Sequence, residues 1–324
     1  MYNVSSSPHV KAKLTTQTIM RDVIIALLPA TIFGIYNAGN LFGMKYAVHS
    51  ALLIIVTVIS CVAAEYIYTT ISDQTITIFD LSAVVTGMIL ALNLPCTFPY
   101  WKAALGGAFA IIIVKQLFGG LGQNFMNPAL GARCFLMLSF AGNMTAFFPK
   151  DVSGVDAATS ATPLTALKNM GESSSPLLDM FLGNHSGTIG ETSIIALLIG
   201  VLYLTVRKII DLRIPITYIL VFAVCIMLFH GSTDIEFLCM HLCGGGLIFG
   251  AFFMATDYTT SPITKSGRYI FGICLGVLTA VFRTFGNTAE GVSYAIIFCN
   301  LLVPLIEKWS IPKAFGVVKM KGGK

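Results

Sequence analysis

Long apolar stretches alternate with short polar ones along nearly the whole chain. A helix needs about 20 mostly apolar residues to cross the hydrocarbon core of a bilayer, which is about 30 Å thick. We therefore predict an all-α polytopic membrane protein with about ten transmembrane helices. The predicted spans lie at residues 22–39, 45–64, 80–95, 101–118, 129–148, 191–206, 214–230, 236–256, 268–285 and 291–306.

The composition excludes an ordinary soluble domain. Hydrophobic residues make up 56% of the chain and charged residues 11%, whereas charged residues make up about 25% of a typical soluble domain. The eight cysteines are scattered, and no CxxC pair is present. We interpret them as small buried hydrophobes and predict no metal site. We also expect no nucleic-acid partner.

Positive charge predicts which helix ends face the cytoplasm. With a cytoplasmic N-terminus, fifteen of the twenty Lys and Arg residues fall on the inner side. The outer side keeps only Lys45, Lys102, Lys150, Lys168 and Arg283. This bias predicts a cytoplasmic N-terminal segment at 1–21, a long extracytoplasmic loop at 149–190 and a basic cytoplasmic tail at 307–324.

The ten spans divide into two sets of five, at residues 22–148 and 191–306. A repeat with an odd number of spans places the second set upside down, as in many transporters. Two similar breaks, KQLFGGLGQN and RTFGN, each carry a basic residue, a Phe-Gly pair and an asparagine ahead of a new helix. Such backbone is tolerated at membrane depth where it is buried in protein or lines a polar cavity. Both breaks are therefore candidate sites, and the alternative is two ordinary interhelical turns.

Three carboxylates at the margins of spans need an explanation, because ionisable groups are costly within a bilayer. Asp80 lies in FDLSAVVTG, Asp257 in FMATDYTTSP and Glu290 in NTAEGVSYA. We treat all three as candidates for an ion path. The alternative for Asp80 and Asp257 is a helix N-cap.

One segment of the predicted outer loop is unusually rich in hydroxyl groups. DAATSATPLTALK, residues 156–168, carries Thr159, Ser160, Thr162 and Thr165 around Pro163. A capping loop explains such a pattern, since Ser or Thr ahead of proline is a common helix start. The segment offers no neighbouring base for a catalytic hydroxyl nucleophile. The remaining hypothesis is that a threonine is a substrate for modification.

The same segment resembles a flavin attachment signal. Asp156, Ser160, Ala161 and Thr162, followed by Pro163, form D-x-x-x-S-A-T-P, which is similar to the D-x-x-[ST]-G-A-T signal read by extracytoplasmic flavin transferases. Alanine or serine replaces the usual glycine. The resemblance implies FMN linked through a phosphoester to Thr162. The predicted outer location of the loop matches the side on which such transferases act.

Several further segments look like parts of one family. They are SSSPHVKAKLTTQTIMRDVIIALLPA, DLSAVVTGMILALNLP, GGLGQNFMNPALGARC, MATDYTTSP and RTFGNTAEGVSYAIIFCNLLVPLIEK. Together they resemble the RnfD subunits of Rnf complexes, which are membrane ferredoxin:NAD+ oxidoreductases. They are also similar to the sister NqrB subunits of sodium-pumping NADH:quinone oxidoreductases. The similarity covers about residues 7–308, and the short N-terminus favours the Rnf relative.

This resemblance implies an electron-transfer subunit of a translocase that couples ferredoxin and NAD+ chemistry to movement of Na+ or H+. It implies a prokaryotic plasma-membrane location, a flavin transferase, and partner subunits that carry a second covalent flavin and iron–sulfur centres. It also implies a urea-transporter-like fold and a non-covalent riboflavin, for which we predict a pocket at Gln123, Asn124 and Asn127. The chain has no NAD-binding fingerprint and no iron–sulfur cysteine spacing, so we expect no complete active site in it.

Two other functions remain open at this stage. A channel or secondary transporter for a small solute would share the inverted-repeat plan and would carry no cofactor. A purely structural scaffold for partner subunits is the third alternative. The sequence around Thr162 distinguishes them, since a solute channel gains nothing from a flavin attachment signal on an outer loop.

Overall fold

The computed structural model describes residues 15–73, 77–149, 164, 167–168, 176–191, 193–231, 234–286 and 291–312. These residues form helices, and β structure among them is limited to one bridge between Pro95 and Thr188. The helices are α1 (Thr16–Phe42), α2 (Met44–Ile71), α3 (Ser82–Leu92), α4 (Tyr100–Phe109), α5 (Pro128–Ser139), α6 (Ala141–Met144), α7 (Leu177–Leu182), α8 (Ile194–Val206), α9 (Arg213–His230), α10 (Ile235–Cys243), α11 (Leu247–Phe249), α12 (Lys265–Phe285) and α13 (Val292–Ser310).

Two of the α-helices continue as π-helical segments. A π-helical segment, Ala110–Lys115, follows α4 and leads into a 3-10 turn that ends at Phe118. A second π-helical segment, Gly250–Met254, follows α11. A π turn inserts an extra residue into the helix, which rotates the side chains that follow it, and such turns are frequent at functional sites.

The prediction of a polytopic all-α protein is confirmed. Within the described part of the chain, six helices are long and apolar enough to cross a bilayer, and the pair Ile235–Cys243 and Leu247–Met254, bent by 61°, is either a broken seventh span or a re-entrant loop. The predicted spans at 80–95, 129–148 and 191–206 correspond to shorter helices of 11, 12 and 13 residues. At a rise of 1.5 Å per residue these helices reach only about 17 to 20 Å, which is less than the thickness of the hydrocarbon core.

Contacts between helix ends show how the first half is arranged. At one end of α2, His49 stacks on Tyr100 at the start of α4, with ring centroids 4.4 Å apart. Toward the other end of α2, Glu65 bonds to Lys115 after α4, with 2.7 Å between the charged atoms. The helices α2 and α4 therefore run parallel. In the second half α9 and α12 also run parallel, as contacts at both ends show: Asp211 with Arg268, and Phe229 with Phe285.

The two halves meet along α1 and α8. Asp22 near the start of α1 accepts hydrogen bonds from Tyr203 and Arg207 at the end of α8. Gly34, farther along α1, packs against the backbone of Ile189, which precedes α8. These helices are therefore antiparallel. We call the end of the molecule at which α1 begins the proximal end, and the opposite end the distal end.

Corresponding helices of the two halves run in opposite directions, and the division into two inverted five-helix repeats stays a prediction. The first half contains α1 to α5, and the second contains α8, α9, α10 with α11, α12 and α13. The helix α2 runs toward the proximal end, whereas its counterpart α9 starts there, directly after the loop that follows Arg207. The outward faces are apolar, as the exposed side chains of Ile59, Leu202 and Leu220 illustrate, which suits contact with lipid.

Candidate functional site

A cavity of about 80 Å³ lies between the two halves near the proximal end. Side chains from the start of α1, from α3, from the loop ahead of α5 and from the segment after α8 form its walls. Both π-helical segments border it, through Lys115 and through Phe252 and Phe253. Tyr258, which is half exposed, also lines the cavity. The polar groups of the lining are Ser82, Thr86, Lys115, Asn124, Asn127, Thr256, Asp257, Tyr258 and Thr259.

A buried ion pair forms part of this wall. Lys115 Nζ lies 2.7 Å from Glu65 Oε1 and 2.7 Å from Ser82 Oγ. The same carboxylate oxygen accepts hydrogen bonds from Thr77 Oγ1 at 2.8 Å and from Gln116 Nε2 at 3.1 Å. Glu65 Oε2, by contrast, is buried and has no hydrogen-bond partner. Glu65 Oε1 thus accepts bonds from Lys115, Thr77 and Gln116. The ammonium of Lys115 is held at the cavity wall.

Two of the three residues predicted for a second flavin pocket line the cavity. Asn124 is 8% exposed, and its buried Oδ1 has no hydrogen-bond partner. Asn127 also lines the cavity, but its oxygen caps α5 by accepting from the amides of Ala129 and Leu130. The prediction for Gln123 does not fit, because its side chain is exposed and lies outside the cavity lining. Within this glycine-rich loop, the side chain of Asn124 therefore lines the cavity, whereas that of its neighbour Gln123 is exposed.

The three ion-path candidates have different outcomes. Asp257 lines the cavity and accepts hydrogen bonds from Thr259 Oγ1 at 3.0 Å and Thr260 Oγ1 at 3.2 Å. Asp80 lies half-buried in a short 3-10 turn before α3 and is not part of the cavity lining. Glu290 falls outside the described residues.

The alternative N-cap interpretation of Asp80 and Asp257 is wrong. Leu81 is the residue that precedes the first turn of α3, and no side chain caps that helix. The next long helix after Asp257 is α12, which is capped by Thr264. Asp257 instead bonds within its own loop, where it stabilises a turn.

Among the buried cations of the described residues, Lys115 and Arg283 are the basic residues of the two breaks noted in the sequence, whereas Arg133 was not singled out there. Arg133 Nη1 donates to Asn93 Oδ1 at 2.9 Å and to Ser293 Oγ at 2.7 Å, which ties α5 to both halves. Arg283 is buried at the break between α10 and α11. Together with Lys115, these residues are interior groups rather than loop charges, so they carry no information on orientation. Among the described Lys and Arg that remain, the bias toward the proximal end persists. Those that lie there are Arg21, Arg207, Lys208, Arg213, Lys265, Arg268 and Lys308.

The residues of the predicted flavin attachment motif, Asp156, Ser160, Ala161, Thr162 and Pro163, lie outside the described residues. The chain just after the motif is anchored. Leu164 and Leu167 are buried against Phe237 and Met240 near α10, and Lys168 donates a hydrogen bond to the carbonyl of Gly286.

The donor set of the cavity fits a flavin ring. Isoalloxazine presents carbonyls and ring nitrogens at the edge of a flat apolar system, and proteins bind it through a few polar contacts. The cavity offers an unsatisfied amide oxygen on Asn124, an ammonium on Lys115 and apolar walls on Phe252 and Phe253. The space itself would hold only about five to eight water molecules, so a whole flavin would extend beyond it.

Long apolar helices with an apolar outer surface and a polar cavity between them define a polytopic all-α membrane protein. The chain belongs to the NQR2, RnfD, RnfE family, which matches residues 3–316.

Three curated relatives illustrate the similarity, and each is the D-type component of its complex. The chain is 46% identical to that of the Na+-translocating ferredoxin:NAD+ oxidoreductase complex of Acetobacterium woodii, over 98% of this chain and 96% of the relative. It is 41% identical to that of the proton-translocating ferredoxin:NAD+ oxidoreductase complex of Clostridium ljungdahlii, with the same coverage. It is 37% identical to that of the ion-translocating oxidoreductase complex of Stutzerimonas stutzeri, over 92% of this chain and 91% of the relative.

Proposed function

We propose that this chain is the membrane-embedded, D-type electron-transfer component of an ion-translocating ferredoxin:NAD+ oxidoreductase complex. The observation that carries the proposal is its near full-length similarity to the relatives from Acetobacterium woodii and Clostridium ljungdahlii. These two relatives are named for different ions, so the proposal covers translocation of Na+ or H+. The complex lies in a prokaryotic plasma membrane, with both termini of this chain in the cytoplasm.

The electron carrier in this proposal is FMN attached to Thr162 through a phosphoester. Its support is the D-x-x-x-S-A-T motif and the anchoring of Leu164, two residues farther along, against α10. Two peptide units span at most about 7 Å, so the attachment point stays close to this anchor. When bound, the flavin supplies one- and two-electron chemistry, whereas Leu164, Leu167 and Lys168 hold its attachment segment in place. A flavin transferase loads it, and a second covalent-flavin subunit and iron–sulfur subunits exchange electrons with it.

A second, non-covalent flavin, riboflavin, is proposed for the cavity near the proximal end. Asn124 would bond to a polar edge of the ring, and the nearby Lys115 ammonium would favour negative charge on it. Asp257, the ion-path candidate that lines the same cavity, would place a carboxylate beside the cofactor. In this arrangement a cation beside Asp257 and an electron on the flavin would occupy the same cavity.

The covalent attachment is tested by Thr162→Ala. The protein is co-expressed with a flavin transferase, and flavin fluorescence is measured in the denaturing gel band. We expect a fluorescent wild-type band and no fluorescence for Thr162→Ala, because the acceptor hydroxyl is gone. Thr165→Ala, in the same segment, is the matched control and should remain fluorescent. A dark wild-type band, with the transferase active on another substrate, would favour a solute transporter instead.

The non-covalent pocket is tested by comparing neighbouring residues. We expect Asn124→Ala to weaken retention of acid-extractable riboflavin by about tenfold, the effect of losing one buried hydrogen bond. Gln123→Ala should have no effect, because that side chain is exposed. The measurement is riboflavin released per protein by acid precipitation, which leaves covalent FMN in the pellet. Equal loss in both variants, or no riboflavin in the wild type, would refute the pocket.

A further inference from the structure

The break between α10 and α11 presents backbone carbonyls to the protein interior. The helix α10 ends at Cys243, and Gly244–Gly246 separate it from α11. Gly245 and Gly246 have φ values of 68° and 63°, which glycine adopts at no steric cost. The last carbonyls of a helix have no partner within the helix, so this break needs donors from elsewhere.

Arg283, in the last turn of α12, supplies those donors. Its Nη2 lies 2.8 Å from the oxygen of Gly244 and 3.1 Å from that of Gly245, and its Nη1 donates to the oxygen of His241. The side chain is 2% exposed, and Phe222 lies beside it, with its ring centroid 5.0 Å from Cζ. A Cβ on Gly245 would lie 2.6 Å from Nη2. It would also lie 2.4 Å from Leu164 Cδ2, so the absence of a side chain at this position leaves room for both the guanidinium and Leu164.

Carbonyl oxygens that converge at an unwound helix are the groups with which many transporters bind a monovalent cation. We propose that the Gly244–Gly246 break is a monovalent-cation site that the chain keeps filled with the guanidinium of Arg283, which closes the distal half of the protein to free cations. The guanidinium carries the same charge as such an ion but is covalently tethered, so it cannot leave.

The corresponding basic residue of the first half, Lys115, is bound differently. Its ammonium bonds to the carboxylate of Glu65 and to the hydroxyl of Ser82 at the start of α3. The preceding residue, Leu81, has a φ of 61°, so the chain is sharply turned there as well. The charge of Lys115 is balanced by Glu65, whereas Arg283 places its charge on backbone carbonyls. A cation that enters from the distal end therefore meets the fixed positive charge of Arg283.

The proposal is tested by passive Na+ efflux from proteoliposomes that contain the whole complex. No redox substrate is added, so the outcome does not depend on the flavin proposal. We expect Arg283→Ala to raise Na+ efflux by at least about tenfold, which corresponds to a barrier lower by about 1.4 kcal/mol. Arg283→Lys should leak less than Arg283→Ala, because it restores the charge but not the planar fork. Millimolar guanidinium chloride should suppress the leak of Arg283→Ala by refilling the site.

Arg213→Ala is the matched control. Arg213 belongs to the same half but pairs with Asp211 at the partly exposed proximal surface, so its removal should leave efflux at the wild-type rate. If Arg283→Ala does not assemble, Arg283→Gln, which keeps amide donors without charge, is measured in its place and should also leak. Wild-type efflux in an assembled Arg283→Ala or Arg283→Gln complex, or a leak that guanidinium does not reduce, would overturn the proposal.

Discussion

Replacement of Lys115 by methionine is expected to lower the free energy of unfolding by about 3 to 5 kcal/mol, because it leaves Glu65 as an uncompensated buried charge. Both side chains are 1% exposed, and their charged atoms lie 2.7 Å apart. The loss is measured by denaturant unfolding in detergent micelles, followed by reaction of a thiol dye with buried cysteines. Cys61, which is fully buried one turn from Glu65, reports on this region.

Two further variants separate charge from packing. The double variant Glu65→Gln with Lys115→Met removes both charges, and replacing a whole buried pair is often close to neutral. It should therefore be more stable than Lys115→Met alone. Lys265→Met, at an exposed position, controls for the loss of a lysine and should unfold like the wild type. A double variant less stable than the single one would contradict a dominant role for the ion pair.

Hydropathy predicted the long helices well, because lipid contact requires an apolar surface along the whole length of a span. The span expected at 101–118 is α4 with its continuation, from Tyr100 to Phe118, and that expected at 214–230 is α9. Hydropathy could not distinguish the half-length helix α3 from a full span. Ten of its eleven residues are buried, and an apolar run enclosed by protein has the same composition as one that faces lipid.

The candidate site was predicted in part, for a physical reason. The glycine-rich loop before α5 stood out because irregular backbone at membrane depth is tolerated only where it is buried in protein or lines a polar cavity. Asp257 stood out because an ionisable group is costly within a bilayer. Glu65 did not, because it lies within the long apolar run of α2. Glu65 could nevertheless have been noticed in the sequence, since an acidic residue inside a spanning helix needs a partner. The partner, Lys115, is 50 residues away, and no local pattern could have identified it.

The contact between the two halves depends on glycine where α1 crosses α8. A Cβ on Gly200 would lie 2.1 Å from the carbonyl oxygen of Ala26 and 3.1 Å from Phe253 Cζ. Since the first obstacle is backbone, a side chain here can be accommodated only if the helices separate. We expect Gly200→Ala to lower the free energy of unfolding by about 1 to 3 kcal/mol, the usual cost of overpacking. The separation would also move Phe253, so riboflavin retention in the cavity should fall.

Gly142→Ala is the matched control for this last prediction. Gly142 is also helical, in α6, and a Cβ there would meet nothing within 4 Å. Both substitutions gain up to about 1 kcal/mol of helix propensity, so the difference between the two variants isolates the clash at the helix crossing. Unfolding in micelles gives the stability of each variant, and acid extraction gives the riboflavin content. If Gly200→Ala matches Gly142→Ala in both measurements, the close approach of α1 and α8 is not what holds the halves together.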